Sequence, residues 1–340
     1  MDELGQLVDG RYELIELAGS GGMARVYRAV VHGAAGFQRS VALKRIREHL
    51  TESSDFVRMF IEEARVCSEL DHANIVQVHD FGIDAEGYFL VMEWIDGVHV
   101  GQYMDALART AQQMPWRIAV AICIQVLQGL AAAHDRVDLD GNPAPVIHRD
   151  VTPQNILLGV NGVVKLTDFG LARAMDRAPM TGPDVVKGKL SYLAPELLLG
   201  APATVTTDLY SLGIVLWEML AGERLFWADN ASERVRKVRE AEIPPLASRR
   251  TNLPHALLAI VDRALSRDPT RRFQRAEAMH SALVHALGEH VVSGRELGQV
   301  AVDTRLAHGL GPRSVRPPPR PSVRPEVTGI TGTLPAVKAS

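Results

Sequence analysis

Near Gly97 the spacing of the apolar residues changes period, and this limits the chain to folds with two unlike parts. Before it the runs are short and extended. Tyr12-Glu13-Leu14-Ile15-Glu16-Leu17 alternates, Val26 to Val30 follows a glycine cluster, and Val41 to Ile46 is a third run. One helix interrupts them: Ser53 or Ser54 can cap it, and Phe56, Phe60, Ala64 and Cys67 recur at helical spacing. Val76 to Phe81 and Tyr88 to Trp94 read as two further strands. After Gly97 the spacing turns helical over 118–133, 207–220, 257–265 and 276–287, with Gly222 ending the second of these. The expectation is an α+β chain. A small β-rich lobe with one long helix precedes a larger, mainly helical lobe, and a ligand cleft lies between them.

Length and composition agree with that plan. At about 100–200 residues per domain, 340 residues make two domains or two lobes of one. We divide the chain into an N-terminal extension (1–11), a two-lobed domain (12–287, divided near 95) and a tail (288–340) expected to be largely disordered. Residues 311–340 hold seven of the 19 prolines and five basic residues against one Glu, which suits a solvated, extended segment. The formal charge of −3 gives no overall electrostatic case for nucleic acid. Two cysteines, Cys67 and Cys123, exclude a disulfide framework and a four-cysteine zinc site, and they fit a reducing cytosol. Met1 to Leu4 lacks the basic and apolar regions of a secretory signal. The most apolar stretch, 118–134, is interrupted by Gln125 and Gln128 and reads as a buried helix rather than a membrane span. The expected location is therefore the cytoplasm.

Three signals carry chemistry. Gly19-Ser20-Gly21-Gly22-Met23-Ala24-Arg25-Val26 lies between two strands, where glycines let backbone N–H groups approach phosphate oxygens; a plain glycine-rich hairpin is the alternative. Lys44 sits on the third strand. Glu63 borders the apolar stripe of the helix, so a Lys44–Glu63 ion pair would fix the ammonium at the cleft; an ordinary surface glutamate is the alternative, and the pattern alone does not separate Glu63 from neighbouring Glu62. The strongest signal is His148-Arg149-Asp150-Val151-Thr152-Pro153-Gln154-Asn155 followed by Asp168-Phe169-Gly170. Hard oxygen donors such as Asn155 and Asp168 suit Mg2+, and Asp150 can deprotonate an attacking hydroxyl; turn chemistry alone also favours these residue types.

Taken in order, these motifs and Ala194-Pro195-Glu196 resemble the bacterial eukaryotic-like serine/threonine protein kinases over about residues 12–287. The resemblance implies ATP and Mg2+ as cofactors and protein Ser/Thr hydroxyls as acceptors. It implies that Ala18, Gly19, Ser20, Gly21, Gly22, Met23, Ala24, Arg25, Val26 and Ala42 lie against the nucleotide. Lys44, paired with Glu63, contacts its phosphates. Met92 resembles the gatekeeper, and the backbone of Glu93 and Ile95 receives adenine. Asp150 is the implied base, and Asn155 and Asp168 the metal ligands. Cys67, Val78, His148 and Phe169 match a stacked apolar spine, Glu196 should pair with Arg272, and Asp208 should bind the catalytic-loop backbone.

Two departures stand out. The family usually carries a lysine two residues after the catalytic Asp, where this chain has Thr152. It usually carries Gly-Thr before Tyr-x-Ala-Pro-Glu, where this chain has Gly188-Lys189. We expect an exchange in which Lys189 supplies the ammonium and Thr152 the hydroxyl; two unrelated substitutions are the alternative. Thr181 is the expected autophosphorylation site, read by Arg149 and reached through a transient homodimer. A pseudokinase scaffold is the rival reading. Retention of Lys44, Glu63, Asp150, Asn155 and Asp168 argues against it. Small-molecule kinases of the same fold usually lack the Ala-Pro-Glu segment and its arginine partner.

Overall fold

A computed structural model describes residues 4–22, 24–47, 50, 54–138, 140–169 and 190–310, and for 54–56, 59 and 63 the backbone alone. Six antiparallel strands form the sheet of the smaller lobe: β1 (Leu7–Val8), β2 (Tyr12–Ser20), β3 (Ala24–His32), β4 (Gln38–Ile46), β5 (Val78–Asp84) and β6 (Gly87–Glu93), in the order β1-β2-β3-β4-β6-β5. The residues set apart as an N-terminal extension supply β1, where Val8 pairs with Tyr12 and is fully buried. Two residues are too short a run to read as a strand from sequence.

β4 is buried from Val41 to Ile46. Val41 and Leu43 pack on one side with Tyr12, Leu14, Tyr27, Phe89 and Val91. Ala42 and Ile46 pack on the other with Phe60 and Ala64 of α1 (Ser54–Ser68). The two-residue period places Lys44 on this inner side with Ala42 and Ile46. A charge in a buried strand must be paired. On the outer side Arg45 forks onto Asp84 at 2.6 and 2.8 Å.

The larger lobe contains β7 (Gly97–His99), α2 (Val100–Arg109), α3 (Trp116–His134), β8 (Ile156–Gly159), β9 (Val164–Leu166), α4 (Val205–Ala221), α5 (Ala231–Glu240), α6 (His255–Ala264), α7 (Ala276–Leu287) and α8 (Gly294–Ala307). β7, β8 and β9 form a small antiparallel sheet. By length and composition α3 could cross a membrane, yet 61% of its apolar window is buried, against α4, α7 and β9. Gln125, which interrupts its apolar run, accepts from the Asn74 side chain at 3.0 Å and from Val164 N at 2.8 Å. Gly129 lets the chain before β5 lie directly on α3, since a Cβ there would sit 2.8 Å from Asn74 O. Val76 N donates to Leu166 O at 2.8 Å and Leu166 N to Asn74 O at 2.9 Å, joining the lobes.

The expectation of a tail from residue 288 onward is corrected by α8. Ser293 caps it by accepting from Glu296 N, and Leu297, Gly298, Ala301, Thr304 and Arg305 form one buried stripe. The Ser-x-x-Glu start and the stripe are both visible in the sequence. Proline and arginine enrichment, which argued for a tail, begins only at 311. Residues 311–340 lie outside the described residues.

The expected Glu196–Arg272 pair is present. The two Arg272 Nη atoms donate to Glu196 at 2.7 and 2.8 Å, Nε donates to Ser266 O at 2.7 Å, and the guanidinium lies 4.4 Å from the Tyr210 ring centroid. The Arg272 side chain is 0% exposed. Removing one member of a buried pair strands the other, so Arg272→Ala should cost about 3–5 kcal/mol. Arg272→Lys, which keeps the charge and loses the fork, should recover only part of that. Urea unfolding measures both, and an unshifted Arg272→Ala midpoint would refute the assignment.

Candidate active site

The turn between β2 and β3 is closed by Gly21 N donating to Ala24 O at 2.9 Å. Arg47, just after β4, pins it: Nε donates to Gly21 O at 2.8 Å and Nη2 to Ser20 Oγ at 3.0 Å. Nothing in the sequence pattern marks Arg47 for this contact. Gly19, Ser20, Gly21, Gly22, Ala24 and Val26 line one wall of a cleft of about 760 Å3. The facing wall holds Lys44, Asp150, Thr152, Asn155 and Asp168. Ala18 is exposed near the end of β2, and Arg25 lies opposite Ser20 on β3.

Lys44 Nζ donates to Asp168 Oδ1 at 2.7 Å, and its side chain is only 7% exposed. Glu63 lies on α1, but its side chain falls outside the described residues, as do Met23, Thr181 and Lys189. Among the described residues the carboxylate on Lys44 is therefore that of Asp168.

Asp150 and Asp168 lie on loops with unusual backbones. Arg149 has φ +67° and Asp168 φ +62°, left-handed values that favour glycine. Asp208, in the first turn of α4, holds the first of these. Its carboxylate accepts from His148 N and Arg149 N at 2.8 Å each, and from His134 Nε2 at 2.9 Å. His148 spans the two loops. Its Nε2 donates to Thr167 O at 3.0 Å, its Nδ1 accepts from Asp150 N at 3.2 Å, and its ring lies 4.4 Å from that of Phe169. Those two bonds require the neutral Nε2–H tautomer, and burial holds the ring's pKa below its ordinary value despite Asp208 and Asp150 nearby. Asn155 Nδ2 donates to Asp150 O at 2.8 Å and to Asp150 Oδ2 at 2.9 Å, which leaves the carboxamide oxygen for other partners. Thr152 is buried, and its carbonyl accepts from Asn155 N at 3.0 Å.

Two residues before Lys44, Ala42 is paired with Met92 across β4 and β6. They share one apolar cluster with Val26, Ile95 and Leu157. Glu93 N is taken by Gln77 O at 2.8 Å and its carboxylate by Lys165 at 2.8 Å. No sequence pattern marks Leu157, because β8 is four residues long and its place beneath the small lobe is a matter of topology. Behind Met92, Cys67, Val78 and Phe169 help enclose a cavity of about 20 Å3, room for roughly one water. The rest of the cleft is lined by His99, Gln154, Ser191, Tyr192, Arg224, Phe226, Trp227 and Arg234, from separate segments that no local motif connects.

His148 gives the site a pH dependence of stability. Its folded pKa lies below the unfolded value of 6.5, so its contribution is fully present above that pH and is lost progressively as pH falls from there through the lower folded value. Burial also lowers His72, His79 and His99, and these add to the same slope. Tm should decline from about pH 6.5 downward, and less steeply in His148→Phe. Parallel curves for the two proteins would rule out the assignment.

Comparison with known proteins bears on this geometry. Residues 12–284 match the protein kinase domain. Over 282 residues the chain is 36% identical to tyrosine-protein kinase MasK of Myxococcus xanthus, covering 83% of this chain and 44% of the relative. Over 280 residues it is 34% identical to serine/threonine-protein kinase PrkC of Bacillus subtilis, covering 82% and 41%. The chain thus spans less than half the length of these two relatives. The crystal structure of the Mycobacterium tuberculosis PknI kinase domain superposes with a TM-score of 0.63 at 26% identity, covering 84% of this chain and 99% of that one. By the match over 12–284 and the two lobes that enclose the cleft, the chain belongs to the protein kinase family.

Proposed function

We propose that this chain is a bacterial protein kinase that transfers the γ-phosphoryl group of ATP to serine or threonine hydroxyls of proteins. The observation that carries the reading is the convergence of one ammonium, two carboxylates and one carboxamide on a single cleft wall: Lys44 on Asp168 at 2.7 Å and Asn155 on Asp150 at 2.9 Å. The backbone of the glycine turn faces them across the cleft.

The donor set fits Mg2+. Asp168 and Asn155 offer hard oxygens, and the Asn155 amide nitrogen is already committed to Asp150. Bound there, the ion would neutralise phosphate charge. The chain's own residues do the rest. The Gly19–Ala24 turn presents N–H groups to phosphate oxygens. Lys44 orients the phosphates, with Glu63 as its second partner. Ala42, Val26, Met92 and Leu157 bound an apolar slot for adenine, and the backbone of Glu93 and Ile95 meets its edge. Asp150 orients the acceptor hydroxyl and takes its proton. In-line positioning supplies much of the rate.

Lys189 takes the place of the absent catalytic-loop lysine beside Thr152, and Thr181 is the site that autophosphorylation in a transient homodimer would modify, with Arg149 as its reader. These assignments rest on the sequence. The chain acts in the cytoplasm. Serine/threonine selectivity follows the names of several relatives, whereas MasK is named a tyrosine kinase.

Labelled ATP, Mg2+ and a generic basic acceptor test the reading. The wild type should transfer label, and Asp150→Asn should lose about 10²–10⁴-fold in rate. No transfer by the wild type would leave a binding scaffold. Phosphoamino-acid analysis of the product decides between Ser/Thr and Tyr. Lys189→Met should cost about 10²–10³ in kcat with nucleotide affinity kept, and near-normal turnover would end the exchange idea.

A further inference from the structure

α8 docks behind the segment that joins the two lobes. Asp96 follows Ile95 directly and is held twice. Its carbonyl accepts from Val160 N at 2.8 Å, and its carboxylate accepts from Arg305 Nη1 at 2.5 Å. The Arg305 side chain is 7% exposed, whereas that of Asp96 is 48% exposed. The guanidinium is thus withdrawn from water to meet a carboxylate at the surface of the hinge.

The seat of α8 is built for close approach. A Cβ at Gly298 would lie 2.4 Å from Val160 O, and one at Gly162 would lie 1.8 Å from Gly294 O. Helix and turn meet backbone to backbone, on the same turn whose Val160 N holds Asp96. Gly97 continues the arrangement, since a Cβ there would be 2.1 Å from Leu158 O. At the other end of α8, the His308 ring donates to Gln102 O at 2.9 Å. Gln102 forms a capping box with His99, which lines the cleft. A helix that merely covered apolar surface would need none of these polar ties. No residue of α8 is among those lining the cleft.

We propose that α8 is a strut for the nucleotide hinge, and that Arg305 is a positioning residue that acts on ATP affinity through Asp96. This rests on the reading of the cleft as a nucleotide site. Arg305 touches no reacting group, so its loss acts on binding and leaves the transfer step alone. Asp96 is half-exposed, which screens the pair and sets a moderate effect.

The test is titration of the full chain with Mg2+ and a fluorescent non-hydrolysable ATP analogue, alongside steady-state kinetics. Arg305→Ala should raise the Kd for the analogue and KM for ATP about 2- to 5-fold, with kcat within about twofold of wild type. Arg305→Lys should recover part of the affinity. The exchange Asp96→Arg with Arg305→Asp should bind better than either single variant. Gly298→Val, which changes no charge, should reproduce the loss by lifting the helix off Val160. Hydrogen exchange should quicken at Ile95 to Gly97 in Arg305→Ala. Unchanged Kd in both Arg305→Ala and Gly298→Val, or a fall in kcat with Kd unchanged, overturns the proposal. A wild type that binds the analogue but transfers nothing overturns the kinase reading and leaves the strut to be judged by Kd.

Discussion

Asp208 is the interaction on which the rest of the site depends. A carboxylate with 1% exposure is costly unless its oxygens are filled, and here three N–H donors fill them. Two of the three are consecutive backbone amides, those of His148 and Arg149. That grip holds Arg149 at a φ which a free chain would seldom adopt. Once Arg149 is fixed, Asp150 is aimed into the cleft, His148 is set between Asp150 N and Thr167 O, and the position of Asp168 follows one residue later. The anchoring carboxylate belongs to a helix of the central core, so the reactive loop takes its rigidity from the best-packed part of the molecule.

The same economy governs the other buried charges. Lys44 meets Asp168, Arg45 meets Asp84, Arg272 meets Glu196, and Arg305 meets Asp96. Three of these pairs join segments far apart in the chain, which fixes how layers sit against one another. Arg45 and Lys44 are neighbours on one strand, yet the pleat sends them to opposite faces. One serves the outer sheet and the other the cleft.

Legibility followed the physics of each element. The long helices announce themselves by period, and the periodic stripe over 276–287 predicts the bounds that helix has, because 12 residues leave little choice. The strands of the small lobe were visible for the same reason. β1, β7 and β9 were not, since two or three residues carry no period. Among the site residues, those in contiguous motifs were legible: the glycine turn, Lys44, the 148–155 loop and Asp168. Arg47, Leu157 and the arginines lining the cleft were not, because what brings them there is the crossing of distant segments. α8 was legible in principle, with Ser293, Glu296 and a stripe of five buried positions, but the composition of the following residues masked it.

The docking of Asn74 on Gly129 has a mechanical outcome. The segment between α1 and β5 is bonded to β9 and seated on α3, so it travels with the larger lobe although the chain on both sides belongs to the smaller one. The small sheet is therefore tied to the larger lobe at two places, its covalent connection near residue 95 and the bonds of Asn74 and Val76, and any change in the angle between the lobes would have to be taken up at both.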